Sequence, residues 1–300
     1  MASSDLAWGG HRLTFGTRPL IMGILNVTPD SFSDGGRFFP TRDAVAQAER
    51  MAREGADIID IGGESTRPFS EPVSEAEEIR RVVPVIEALA HRVKIPISID
   101  TSKAAVARQA LNVGASMIND ISALRADPAL AGVAADSGVP VILMHMKGTP
   151  GNMQVSPMYD DLFGEITTFL KRAIATAEEN GIQRSRIIID PGIGFGKTVR
   201  HNLLLLKHLA SFKTMKLPVL IGPSRKAFIR KLLKPDHLTD IDPQLPIVET
   251  GTQTTVAVAA LNGADIVRVH NVADTLATLK IVTAIQAAEP KAAVTLQDVL

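Results

Sequence analysis

Two aspartates stand directly behind apolar runs, Asp100 after Ile97-Ser98-Ile99 and Asp190 after Ile187-Ile188-Ile189. Asn119 closes a third run and Asn26 a fourth, while Lys226, Arg268, His270 and Arg67 supply basic groups just past others. A carboxylate accepts two parallel hydrogen bonds from neighbouring N–H groups, and an amide offers both a donor and an acceptor. Arginine is planar, always charged, and can stack on a ring while donating to phosphate. Acceptors of this kind beside a cluster of cations suit a heteroaromatic substrate that carries phosphates. Each residue taken singly has an ordinary structural reading, since an Asp after a strand is often a helix N-cap and a Gly pair is often a turn.

The glycine-rich stretch Gly192-Ile193-Gly194-Phe195-Gly196-Lys197-Thr198 has the look of a nucleotide loop but fails on spacing. A P-loop places four residues between its first Gly and Gly-Lys-Thr, and here there are three. The dinucleotide pattern fails as well, because the third Gly arrives one residue early.

What must position these groups is a recurring unit: a short apolar run, a polar turn, then a stretch of helical period. Eight such runs begin near Leu20, Asp57, Ile97, Met117, Val139, Ile187, Pro218 and Ile266. They read as continuous apolar segments, as parallel strands covered on both faces do. Eight strand–helix units in 300 residues predict a single (β/α)8 TIM barrel, with an open doubly wound sheet as the rival architecture. Residues 1–18 precede the repeat and are expected to form a hairpin capping the barrel's bottom. The barrel is expected to span 19–289, leaving 290–300 as a tail. In a TIM barrel the chemistry sits on the loops that follow the strands, and every run here is followed by polar residues. Lys234–Thr250, which holds Pro235, Pro243 and Pro246, reads as a surface excursion.

Composition narrows the classes. Lys+Arg and Asp+Glu both number 32, a balance that argues against gripping a nucleic-acid backbone. With no cysteine, thiolate metal sites, thiol catalysis and disulfides are excluded. No apolar run approaches the ~20 residues of a membrane span, and Met1-Ala2-Ser3-Ser4-Asp5 is no signal peptide, so a cytoplasmic small-molecule enzyme is expected.

Seven segments in order resemble the dihydropteroate synthase family, from about Pro19 to the last helix. They are Gly23–Gly36 with its Asn-Val-Thr-Pro-Asp-Ser-Phe-Ser-Asp core, Gly62-Gly63-Glu64-Ser65-Thr66-Arg67-Pro68, Ile99-Asp100-Thr101, Ile118-Asn119-Asp120, Asp190–Lys197, Ser224-Arg225-Lys226 and Arg268-Val269-His270. The resemblance implies a TIM barrel and a transferase of folate biosynthesis. It would join (7,8-dihydropterin-6-yl)methyl diphosphate to p-aminobenzoate, with sulfonamides as competitors.

Carried over residue by residue, Asp100, Asn119, Met144, Asp190, Gly194, Lys226 and Arg268 would surround the pterin. Phe32, Thr66, Arg67, Pro68, Phe195 and Ser224 would hold p-aminobenzoate, with Ser224 placed at a helix N-terminus and the two Phe in mobile loops. Asn26, Thr66, Arg268 and His270 would bind diphosphate, with Asn26 as a ligand of Mg2+. Catalytic roles would fall to Asp100, Lys226, Arg268 and His270. His145 reads equally as a core histidine or a site residue. The resemblance also implies a homodimer. Phe69 departs from the family's Arg-Pro-Gly, which bears on p-aminobenzoate contacts and sulfonamide response. The rivals are a pterin-dependent methyltransferase and an inactive pterin-binding protein on the same barrel.

Overall fold

A computed structural model describes residues 5–28, 40–65, 72–149, 151–153 and 155–289. Phe32, Thr66, Arg67, Pro68, Phe69 and the 290–300 tail lie outside the described residues.

The chain opens with a hairpin, β1 (Leu6–Trp8) and β2 (His11–Leu13), and then enters the barrel with β3 (Leu20–Asn26). Strands and helices then alternate: α1 (Pro40–Glu54), β4 (Ile58–Gly62), α2 (Glu75–Ala90), β5 (Ile97–Asp100), α3 (Ala104–Asn112), β6 (Met117–Asp120), α4 (Ala129–Ser137), β7 (Val141–Met144) and α5 (Leu162–Glu179). The second half comprises β8 (Ile187–Asp190), α6 (Val199–Lys207), β9 (Leu220–Ile221), α7 (Ala227–Leu233), α8 (Pro246–Leu261), β10 (Ile266–Val269) and α9 (Val272–Ala287).

The eight barrel strands pair in parallel in the order β8-β7-β6-β5-β4-β3-β10-β9. A parallel bridge from Ile189 to Val219, one residue before β9, joins the two ends of that order. The expected TIM barrel is therefore present and the open sheet is not. Its strands are buried on both faces; Ile21, Met22, Ile58, Ile59, Ile99 and Ile118 are among the fully buried side chains.

The helices start where the sequence supplies caps. Ser74 accepts from the Glu77 amide ahead of α2, Asp161 accepts from Gly164 ahead of α5, and Thr198 with His201 forms a capping box at α6. The hairpin packs against the barrel's N-terminal end. Leu6, Trp8, Leu13 and Phe15 are buried there, and the Trp8 indole donates to the Ser116 carbonyl just before β6 at 2.6 Å.

One expectation about the connections is corrected. The excursion after α7 is shorter than the Lys234–Thr250 stretch, because α8 already begins at Pro246. Proline at the first helical position is preset for the helix and needs no amide donor there, so that proline starts a helix rather than extending a loop.

Candidate active site

The functional side chains converge because strand register brings them to one level. Asn26 pairs with Gly62, Gly62 with Asp100, and Asp100 with Asn119, a row running across β3, β4, β5 and β6 at their C-terminal ends. On β7 and β8, Met144 pairs with Asp190 at the same rim.

At the centre of the rim is Arg268 on β10. Its Nε donates to Asp60 Oδ2 at 2.6 Å, and one terminal nitrogen donates to Asp100 Oδ2 at 2.7 Å. Arg268 and Asp60 are separated by β3, and Asp100 lies one strand further, so these bonds run across the barrel interior. Asn119 Nδ2 donates to the same Asp60 oxygen at 2.9 Å. Asp60 is fully buried, and its Oδ1 has no hydrogen-bond partner among the described residues. The sequence reading passed over Asp60. Its signal was present, a carboxylate in the middle of the apolar run Ile58-Ile59-Asp60-Ile61, where an unpaired charge would be costly.

Burial shapes the charges. Loss of solvent pushes Asp100 up to about 7 against the pull of Arg268, with the negative charges of Asp60, Glu78 and Asp120 adding to the rise. Burial pushes Asp190 up to about 6, opposed by the Gly192 amide and by the cations Lys226, Lys197 and Arg268. Burial also brings Lys226 down to about 7, helped by Arg268 and resisted by Asp190 and Asp100. Perturbed groups gathered in one place are a common mark of a functional site.

Asp190 ends β8, and its Oδ1 accepts from the Gly192 amide at 2.7 Å. The loop that follows needs glycine at two points. Gly192 has a φ of +73°, and a Cβ there would lie 1.9 Å from the His145 carbonyl oxygen. At Gly194, φ +82°, a Cβ would lie 2.8 Å from Lys226 Cδ, so the lysine stem crosses directly over this glycine. Lys226 Nζ then sits 3.7 Å from the centroid of the Phe195 ring.

Several expected positions are refined. Phe195 is packed rather than loose: it is buried with Met144, Met146 and Met153 under the lysine. Ser224 is not at a helix N-terminus, because α7 begins at Ala227 and Lys226 holds the cap position. The Ser224 hydroxyl instead lies 2.9 Å from His270 Nδ1 and accepts from the His270 amide at 3.3 Å. These contacts bring Ser224 and His270 together beside Arg268. His145 is buried and held neutral, lowered to about 2 by desolvation and by Lys197.

Asn119 and Asp120 divide their labour. Asp120 accepts from Ser102 Oγ and from the Ser122 and Leu124 amides, at 2.6, 2.8 and 2.6 Å. It therefore organises the turn after β6, while Asn119 faces Asp60.

A family model described as pterin binding enzyme matches residues 22–270. The dihydropteroate synthase of Escherichia coli K12 is 46% identical over 268 residues, covering 89% of this chain and 92% of that protein. This chain belongs to the dihydropteroate synthase family of pterin-binding enzymes.

Solved structures of the family agree in shape. The Yersinia pestis dihydropteroate synthase in complex with a sulfonamide drug aligns with a TM-score of 0.87 at 46% identity, covering 95% of this chain and all of the other. The Xanthomonas albilineans dihydropteroate synthase in complex with 7,8-dihydropteroate aligns with a TM-score of 0.84 at 43% identity, covering 95% and 100%. Among the described residues no helix is long and apolar enough to cross a membrane.

Proposed function

We propose that the barrel rim catalyses the dihydropteroate synthase reaction. The amine of p-aminobenzoate replaces diphosphate on the methylene of (7,8-dihydropterin-6-yl)methyl diphosphate, giving 7,8-dihydropteroate and diphosphate. A C–O bond breaks, a C–N bond forms, and the amine gives up one proton. The observation that carries the reading is the gathering of Asp100, Asn119, Asp190, Lys226 and Arg268 at one end of the barrel, in a chain of this family.

Asp190 accepts the 2-amino and ring N–H donors of the pterin edge, a bidentate contact a carboxylate makes well. Asn119 and Lys226 complete the ring's hydrogen bonds, and Met144 and Gly194 border it. Arg268 lies over the ring and faces the phosphates with His270 and Asn26. The substrate's ring is electron-rich at the leaving methylene, so the C–O bond breaks first in an SN1-like step. Asp100 stabilises the cation that develops, and Arg268 with His270 stabilises the departing anion. Fixed charges aimed at charge formed in the transition state are commonly the largest catalytic contribution. The aniline nitrogen then attacks. Ser224 and Phe195, with the loop residues Phe32, Thr66, Arg67 and Pro68, form the p-aminobenzoate side, and sulfonamides compete there.

Asn26 suits a Mg2+ ligand. Its amide supplies an oxygen, it shares the row with Asp100, and its side chain makes no hydrogen bond among the described residues. No group of three or more His, Cys, Asp or Glu among the described residues could hold an ion alone, so substrate phosphates would complete the shell, as this ion prefers. Held by Asn26, such an ion would supply positive charge against the leaving diphosphate.

The same reading takes the protein as a cytoplasmic homodimer. Exposed Leu203 on α6, Leu232 on α7 and Ile247, Val258 and Leu261 on α8 support an apolar dimer face on the outer helices. Diphosphate release, measured with both substrates present and with each omitted, tests the activity. Release only with both, together with a product of dihydropteroate mass, is expected. Methyl transfer or no turnover overturns it.

A further inference from the structure

Lys197 is a buried ammonium that the reaction as described leaves without a task. It is 3% exposed, and it donates to His145 Nδ1 at 2.9 Å and to the Phe195 carbonyl at 3.0 Å. An ammonium can only donate, so His145 accepts at Nδ1 and carries its proton on Nε2. The His145 ring is fixed in turn by an edge-on contact with Phe169, the ring centroids 4.8 Å apart. The same histidine's main-chain amide donates to the Asp190 carbonyl at 2.8 Å. A Cβ at Gly192 would approach both the His145 carbonyl and, at 3.4 Å, Lys197 Nζ. One cation thus closes the loop that begins at Asp190 and presses that loop against β7.

We propose that Lys197 is a positioning residue of the pterin pocket: its ammonium locks the Gly192–Lys197 loop onto His145 and supplies, from the end of the loop that Asp190 begins, positive charge that keeps this carboxylate ready to accept the pterin edge. The proposal rests on the reading of Asp190 as the pterin-edge acceptor.

The electrostatics agree with that geometry. Lys197 is lowered to about 7 by burial and by Lys226, and Asp190 supports its charge. Lys197 in return is one of three cations that hold Asp190 down, beside Lys226 and Arg268. The groups facing Asp190 are therefore Lys197 on its own loop, Lys226 ahead of α7 and Arg268 on β10. His145, just past β7, is neutral and contributes no charge. Lys226 also faces the ring of Phe195, so its position depends on the loop that Lys197 closes. Taking one charge out of a buried cluster is expected to lower stability, so each variant's melting curve is part of the test.

The experiment compares wild type with Lys197→Gln and Lys197→Met. Calorimetry gives the affinity for the pterin diphosphate at about pH 6 and about pH 8, and a melting curve is recorded for each protein. The wild type is expected to bind at both. In the variants Asp190 loses a cation and holds its proton to higher pH, so affinity should fall by about tenfold at the lower pH and by under about threefold at the higher one. An equal loss at both pH values overturns the charge role, and wild-type affinity at both overturns the proposal whole. If Lys197→Gln folds poorly, Lys197→Met decides, since it fills a similar volume and brings no polar group of its own into the site. A wild type that releases no diphosphate, or fails to bind the pterin, overturns the underlying reading and not Lys197 alone.

Discussion

The two ends of the barrel use the same residue types for opposite ends. At the N-terminal face, Arg18 makes a two-pronged pair with Asp57, at 2.8 and 3.0 Å, and Asp57 also accepts from the Ile21 amide. Both side chains there are about a quarter exposed, and Arg12, which pairs with Asp5, is mostly in water. An open groove of about 780 Å³ beside the hairpin is lined by Arg12, Arg18, Asp57, Lys94 and Lys280. At the C-terminal face Arg268 meets Asp60 and Asp100 at similar distances, but Asp60 is wholly buried. Charges near the surface interact weakly because water screens them, whereas charges out of water interact strongly and shift one another's proton affinities. Depth, not pairing, separates a structural clasp from a reactive site.

The comparison can be broken in order of expected effect. Arg268→Met leaves Asp60 and Asp100 buried without their cation. It should cost about 3–5 kcal/mol of stability and abolish diphosphate release, as read by denaturant unfolding and turnover. A variant that melts like wild type would show that the top pairs are no deeper in effect than the bottom ones. Asp100→Asn should lower turnover by about 10²–10³ while pterin affinity stays within a few-fold, because it removes charge needed in the transition state. Full activity in that variant would remove Asp100 from the mechanism.

The pH profile sharpens the same contrast. Asp100, raised to about 7, and Asp190, raised to about 6, must both be ionised, so kcat/KM should begin to fall below about pH 7 and fall more steeply below about 6. Lys226, lowered to about 7, loses its proton as pH rises, so the profile should also decline on the alkaline side. A flat profile from about pH 5 to 9 would mean that burial does not govern the rim. The smallest effect is expected at the other end. Arg18→Ala should cost about 1 kcal/mol or less and leave kcat/KM unchanged, as chemical unfolding and steady-state rates will register.

Much of this was legible beforehand, for physical reasons. Eight apolar runs at short intervals call for a parallel sheet covered by helices on both faces, for which a closed barrel and an open doubly wound sheet are the two candidates, and the rim row of Asn26, Asp100 and Asn119 follows from where those runs stop. Asp60 was missed because an acid inside an apolar strand looks like a flaw until its partner, 208 residues away in sequence, is brought to it. Lys197 was read only as part of a failed nucleotide motif, since nothing local shows that its chain folds back onto His145. Ser224 was set one turn too close to a helix, because propensity does not locate the start of a seven-residue α7.

By itself, the order of residue types determined the barrel, its family and the end at which chemistry occurs, because periodicity and local motifs depend on neighbours along the chain. Which charges are buried, which carboxylates share Arg268, and which histidine Lys197 meets were decided only by tertiary structure. Those properties depend on distance through space and on the exclusion of water, and both arise only when the strands close on one another.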